Sequence, residues 1–455
     1  MIKFFTILPI VCCVFLATNS HLVAKDDSAE KVQEKSYDGS NVKDTSSNLG
    51  IRFLFMNDDS APLVHVRIAF KYSGSAYQKK VKRGLPQFYA GAVFCGCGEY
   101  SKIQFDKKLT NIMAAGNCSS NNDFIVFSLT FPKIVLQEAA SLFNALINKP
   151  TFEKNEVKLV QDGIVGGLQN YASNPSAAAG RIFLPAIIFK SHPYENSGIA
   201  EDVVMLSIDD LKKYKADFLV INNAEACVFG DISENEAKDL LDKIFHDVPK
   251  GTATKDTVQD TEPLIKASVK EYYEQSPQST IVFAVKTERH NSANRYVAAI
   301  LTTILGGHSM AFKNKIMSIL RTKEGLVYGG NTGVVHMNHA SYVKGALKTD
   351  NSKVKKAVES LKKIIKYLRK NGITKEDLEF AKDNMKGSML VAMRTSGDLC
   401  DFYSREMLLG NGVTALKDLL DGINNVKLEE VNDLAGKILD ENNIPFVIIA
   451  GNKND

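Results

Sequence analysis

No block of like charge, no long apolar run beyond the N-terminus and no dense set of cysteines marks this sequence. The 56 basic and 52 acidic residues are interspersed and leave a net charge of +4, so there is no electrostatic footprint for nucleic acid or another polyanion. Seven cysteines in 455 residues are too sparse for a disulfide framework. Cys95-Gly96-Cys97 offers a metal pair or a strained short-loop disulfide, but buried free thiols are the simpler expectation. Neither a Gly-x-Ser-x-Gly elbow nor a P-loop occurs, which leaves serine-hydrolase and nucleotide-dependent chemistry unsupported.

What is present begins with a leader. Met1-Ile2-Lys3 is positively charged, and Phe4 to Ala17 forms an apolar stretch of about 14 residues, short for a membrane span. Residues 1–24 read as a secretory signal peptide, cleaved after Ser20 or Ala24, which predicts an exported, periplasmic protein. A lipoprotein alternative at Cys12 or Cys13 meets Ile10-Val11 where lipidation signals usually have a small residue. Removal of the leader leaves five cysteines, an odd number, so at least one thiol stays unpaired. Residues 25–48 are polar and rich in Ser, Asp and Lys, and read as a disordered tether. No later segment is apolar enough to span a bilayer. With 44% apolar and 24% charged residues overall, the remainder is globular material for two or more domains.

The chain also repeats itself at a spacing of about 220 residues. Phe152 to Leu168 aligns without gaps to Ile373 to Met389, sharing the pairs Lys154/Lys375, Asp162/Asp383 and Gly166/Gly387. Leu206 to Asn223 aligns to Val426 to Asn443, and both windows end in Asn-Asn before an apolar strand that stops at Gly230 or Gly451. Within each half, strand patterns (Leu63 to Tyr72, Thr280 to Val285) precede helical ones (Val135 to Leu146, Val354 to Leu368). These predict an α+β fold of two homologous domains, 49–249 and 263–455, each a largely antiparallel sheet with helices packed on it. Residues 250–262, rich in Thr, Asp, Lys and Gly, form the linker, where cleavage by a probing protease is expected to release a pair of folded halves.

Residues Gly84-Leu85-Pro86-Gln87-Phe88-Tyr89-Ala90-Gly91, with the preceding strand Val66 to Ser75, resemble the strand and first catalytic helix of the M16 zinc peptidases. That family includes pitrilysin, insulinase and the mitochondrial processing peptidase. The resemblance covers about residues 48 to 453 and includes Lys82-Arg83-Gly84-Leu85, Phe127 to Thr130, Ser191 to Tyr194 and Leu320 to Tyr328. It implies the two-domain, clamshell-half architecture already read from the duplication. The family helix carries His-x-x-Glu-His, two imidazoles for zinc and a carboxylate to activate water. The three positions here read Gln87, Ala90 and Gly91, and the segment of the family's remaining Glu ligand, Ile164 to Leu168, offers Gly166 and Gly167. A catalytic zinc needs about three protein ligands plus water. The expectation is therefore no metal in this chain and no peptide hydrolysis by it alone.

The resemblance also implies what the chain retains. The family's C-terminal half supplies an Arg and a Tyr, matched by Arg321 and Tyr328, whose guanidinium and phenol donate hydrogen bonds to the substrate carbonyl as charge develops on it. Gly306 and Gly307 match a glycine-rich loop near the substrate, although His308 to Phe312 departs from the family pattern. Some members divide these roles between two chains. This one looks like the subunit without zinc, which implies a zinc-bearing M16-like partner, or self-association, around an unfolded peptide. The rival reading is a non-catalytic peptide-binding or assembly scaffold. A relocated metal site at His336 and His339, aided by His308 or Glu324, is a weaker reading, because strand alternation sends residues three apart to opposite faces.

Overall fold

The computed structural model describes residues 41–169, 178–195, 198–273, 276–307 and 313–451. The leader 1–24, the tether up to residue 40 and the loop segment 308–312 lie outside the described residues. Two sheets organise the rest. The first contains β1 (Lys43–Ser46), β2 (Arg52–Asn57), β3 (Leu63–Lys71), β4 (Ala115–Ser120), β5 (Phe124–Pro132) and β6 (Ala224–Gly230), in the order β1-β2-β6-β3-β5-β4. The second contains β7 (Ser268–Tyr273), β8 (Gln278–Val285), β9 (Val327–His336), β10 (Ser341–Asp350) and β11 (Pro445–Ala450), in the order β7-β11-β8-β10-β9. Leaving β1 aside, the two orders are one topology written twice, and each holds one parallel pair, β2 with β6 and β7 with β11, among antiparallel neighbours. The sequence repeat is thus a repeat of topology.

The strand patterns explain the layering. In β3 the side chains of Val64, Val66, Ile68 and Phe70 enter one core, with Phe143 and Leu146 of the helix Leu136–Asn148 and Leu240 and Leu241 of the helix Glu234–Phe245. His65 and Arg67, which alternate with them, are nonetheless buried. Their cover comes from the second half: the helix Ser396–Leu408 lies on β3 and β6, with Tyr403 5.6 Å from Phe229 and Asp401 paired with Arg67. The second sheet answers in kind. Ile281 and Phe283 enter its own helix-covered core, while Val282, Ala284, Val447 and Ile449 pack against Ala179, Leu184, Ile188 and Phe189 of the first half. Each half therefore lends a helix to the other's sheet, which is why strands such as β6 and β8 are buried on both faces, β6 throughout and β8 from Ser279 onward.

The exchange makes residues 38–455 one compact unit. Residues 250–262, without helix or strand, follow its surface with fixed attachments: the Asn222 side-chain amide donates to the Gly251 carbonyl at 2.7 Å, and the Thr261 N–H donates to the His339 carbonyl at 2.9 Å. The end of the expected tether is ordered as well. Lys43–Ser46 pairs antiparallel with β2, and Asp242 accepts from the backbone N–H groups of Asn48 and Leu49, so the order begins before residue 49. The five described cysteines are buried and free. Burial pushes Cys95 up to about 11 and Cys97 up to about 12, as expected of buried thiols. Among the described residues no helix is long and apolar enough to cross a membrane.

Candidate functional site

The helix Leu85–Ala92 begins with Pro86 in its first turn, where a missing N–H is harmless. Leu85, Phe88, Tyr89 and Ala92 anchor it in the core. Gln87 projects to the inter-half cavity, Ala90 is buried, and Gly91 faces the helix Lys154–Gln169, where a Cβ would stand 2.7 Å from Val160 Cγ1. The two helices have closed over the position where the family places its second imidazole. Gly166 and Gly167, on that neighbouring helix, are open and contribute no ligand. Among the described residues no three His, Cys, Asp or Glu side chains stand close enough to hold a metal ion.

Gln87 lines a cavity of about 820 Å³ between the halves. Its walls come from the start of the Leu85 helix, the β4–β5 turn (residues 120–124), residues 180–185, the β9–β10 hairpin and the end of the Ser396 helix. Four cationic side chains, Arg83, Arg181, Lys344 and Arg405, line it with two carboxylates, Asp123 and Glu406. That charge opposes a Zn²⁺ ion as surely as the missing ligands do.

Arg321 and Tyr328 lie elsewhere, on the second sheet. Arg321 sits in the wide helical turn Ile316–Lys323 and Tyr328 near the start of the edge strand β9. Both are exposed, and neither lines the cavity. The frame between them is fixed: Gly325 takes the left-handed conformation with φ +60°, and the Leu326 N–H donates to the Leu320 carbonyl at 2.7 Å. Lys353 and Thr349 donate to the carbonyls of Gly325 and Leu326 at 3.0 and 2.6 Å. Gly306 and Gly307 end the helix Arg295–Leu305 in buried positions. A Cβ at Gly306 would come within 2.8 Å of Ile316 and Thr332, and one at Gly307 within 2.9 Å of the Thr303 carbonyl, so close packing accounts for both glycines.

Two family models match the chain: the insulinase (peptidase family M16) model over residues 52–201 and the peptidase M16 inactive domain model over residues 206–385. The chain belongs to the M16 peptidase family. The second of these models is the one described as an inactive domain. A Helicobacter pylori protein called a non-peptidase homolog, YmxG, is 24% identical over 400 residues, covering 87% of this chain and 90% of its own. A Bacillus subtilis YmxG, called an uncharacterized zinc protease, is 22% identical over 88% of this chain and 96% of its own. The crystal structure of a peptidase M16 inactive domain from Pseudomonas fluorescens superposes with a TM-score of 0.83 at 22% identity, over 90% of this chain and 98% of that one.

Within this M16 fold His336 and His339 face different partners, and the ring of His290 lies 6.3 Å from that of His336. His336 accepts or donates at Nδ1 with Ser341 Oγ at 2.8 Å, and burial of its ring, then the charges of His290, Arg405 and Arg295, pushes it down to about 4. His339 faces the linker instead, 3.1 Å from Asp256 and 3.0 Å from Asp260. Around it, Tyr77 donates to Asp256 at 2.9 Å, Arg289 donates to Asp260 at 2.8 Å and Tyr194 donates to buried Asp123 at 2.5 Å. Arg289 and then His339 hold the Asp260 carboxyl far below its usual range, while burial raises that of Asp123. The sequence showed this junction only in pieces, the Ser191 to Tyr194 segment and His339, and the cavity cations only in Lys82-Arg83-Gly84-Leu85, because the remaining members come from separate segments.

Proposed function

We propose that this chain is the zinc-less subunit of an exported M16-type metalloendopeptidase, which holds an extended, unfolded peptide and completes the active site of a zinc-bearing M16 partner with Arg321 and Tyr328. The observation that carries the reading is the pairing of an ordered frame with exposed side chains. A left-handed glycine and the hydrogen bonds on either side of it fix the turn from Arg321 to Tyr328, yet both side chains face outward at an edge strand, as donors acting on another molecule must. The outer edge of β9, which pairs with no further strand among the described residues although the Thr332 N–H donates to the Gly306 carbonyl at 3.4 Å, supports peptide capture through backbone hydrogen bonds, which tolerate many sequences. Export rests on the leader Met1 to Ala24. Zinc belongs to the partner in this account.

The test is reconstitution with a co-purifying M16 chain that carries His-x-x-Glu-His. Arg321→Ala or Tyr328→Phe should lower turnover by the mixed complex about 100-fold to 1000-fold while leaving assembly intact. The second reading, a non-catalytic peptide holder or assembly scaffold, is favoured by the name of the Helicobacter pylori relative. It becomes the better account if both variants assemble and cleave at the wild-type rate.

A further inference from the structure

The cavity beside the degenerate motif carries positive charge that the fold does not use. Arg83 is 8% exposed in its side chain, and its Nε and Nη1 have no hydrogen-bond partner. Its nearest carboxylate, on Glu195, stands 3.9 Å away, beyond hydrogen-bonding distance. A buried guanidinium with unmet donors is a standing cost, and burial draws its pKa down accordingly. Lys344 repeats the pattern from the opposite half. It is partly buried, its one charged neighbour of consequence is Arg181, which repels it, and both effects lower its pKa. Its ammonium lies over Gly180, where a Cβ would come within 3.3 Å of Nζ, so the bare backbone makes its room.

The carboxylates nearby are committed elsewhere. Asp123 accepts from Tyr194 and from the Asn338 N–H, and Glu406 stands 3.5 Å from Arg405. Arg83 and Lys344, with the exposed Arg181, face a concave space in which the carboxylate nearest Arg83, that of Glu195, lies beyond hydrogen-bonding distance. Pro86, Pro185, Val335, Met337, Tyr342 and Leu409 supply apolar wall between them, enough for an organic body rather than a bare ion. We propose that this cavity binds an organic carboxylate, its anionic head held by Arg83 and Lys344 and its body by the apolar walls. The inference concerns a space within one chain and does not depend on the role of Arg321 and Tyr328.

Calorimetric titration of the full chain with N-acetyl-glycine, N-acetyl-leucine, N-acetyl-phenylalanine and their amides tests it. At least one acid should bind with a Kd below about 1 mM, its amide at least about 10-fold more weakly. Lys344→Met, verified as folded by circular dichroism, should lose about 10-fold or more of that affinity. Arg83→Met should abolish binding and raise the melting temperature of the ligand-free protein, since it removes an unsatisfied buried charge. Acids and amides that bind alike, no acid that binds in this range, heat from inorganic phosphate alone, or unchanged acid affinity in folded Lys344→Met would each overturn the proposal. A lower melting temperature in Arg83→Met would show that Arg83 is a structural partner of Glu195 and not a ligand group.

Discussion

Cutting the linker should not separate the two halves. Gly251, Thr252 and Ala253 are exposed, so a protease site placed there can be cleaved without touching either sheet. What then holds the pieces is the exchanged packing. Tyr403 on the first sheet and Leu184, Ile188 and Phe189 on the second are at most 3% exposed. Burial of four such side chains is worth about 6–12 kcal/mol, and burial of the sheet residues beneath them adds a similar amount. Association of two free pieces costs about 4–15 kcal/mol. Mid-range values leave about 8 kcal/mol, a Kd near 1 µM, before the ion pairs around His339 are counted. The nicked protein at about 20 µM should therefore elute from a sizing column at the volume of the intact chain. Tyr403→Ala, which costs about 3–5 kcal/mol when a large buried side chain is truncated, should weaken the nicked pair by more than about 100-fold and let the pieces separate. Two folded halves released on cleavage of the otherwise unaltered chain would refute the exchange as the source of cohesion and restore the independent domains read from the sequence.

Rebuilding the zinc motif as Gln87→His, Ala90→Glu, Gly91→His with Gly167→Glu should not yield stoichiometric zinc by elemental analysis. It should also cost about 1–3 kcal/mol in denaturant titration, because a side chain at 91 meets Val160 within 2.7 Å. Gly325→Ala, at φ +60°, should destabilise by about 1 kcal/mol and, in a reconstituted complex, lower turnover more than substrate affinity. Stability should fall as the pH drops from about 7.5 to about 5. Burial, then Arg67, lowers the pKa of His65, and burial lowers those of His192 and His290. The unfolded chain, titrating near its ordinary value of about 6.5, then binds more protons than the folded one, which favours unfolding on acidification. Calorimetric melting across that range reads the slope, and His65→Gln should flatten it.

Much of the fold was legible because the signals were periodic. The alternation in Leu63 to Tyr72 and the helical spacing in Val354 to Leu368 each correspond to an element within a few residues, and the repeat of Phe152 to Leu168 in Ile373 to Met389 corresponds to paired helices. The loss of zinc ligands was equally legible, because it depends on residue identity alone. The cover on the second face of each sheet was not. Ala178 to Phe189 is mostly apolar and Ser396 to Leu408 is amphipathic, and nothing in their composition says that each serves the other half's sheet. The ordered strand Lys43–Ser46 was missed because four polar residues satisfied by backbone pairing and by Asp44–Arg52 contacts look like tether.

The same architecture explains how the fold persists without its zinc chemistry. In the helix Leu85–Ala92 the residues that secure it, Leu85, Phe88, Tyr89 and Ala92, alternate with the positions that would bind metal and share no contacts of theirs with an ion. Replacing a ligand by Gln87 leaves a half-buried polar group at a cavity wall, where it is solvated at little cost, and replacing another by Gly91 lets two helices close. Neither change opens a void in the core or strands a charge. With no ligand set at Gln87, Ala90 and Gly91, no bound cation opposes the charge of Arg83 and Lys344 in the adjoining cavity. Ligand loss and cavity charge are in this sense compatible, and Arg321 and Tyr328, on a separate frame beside the second sheet, are untouched by either.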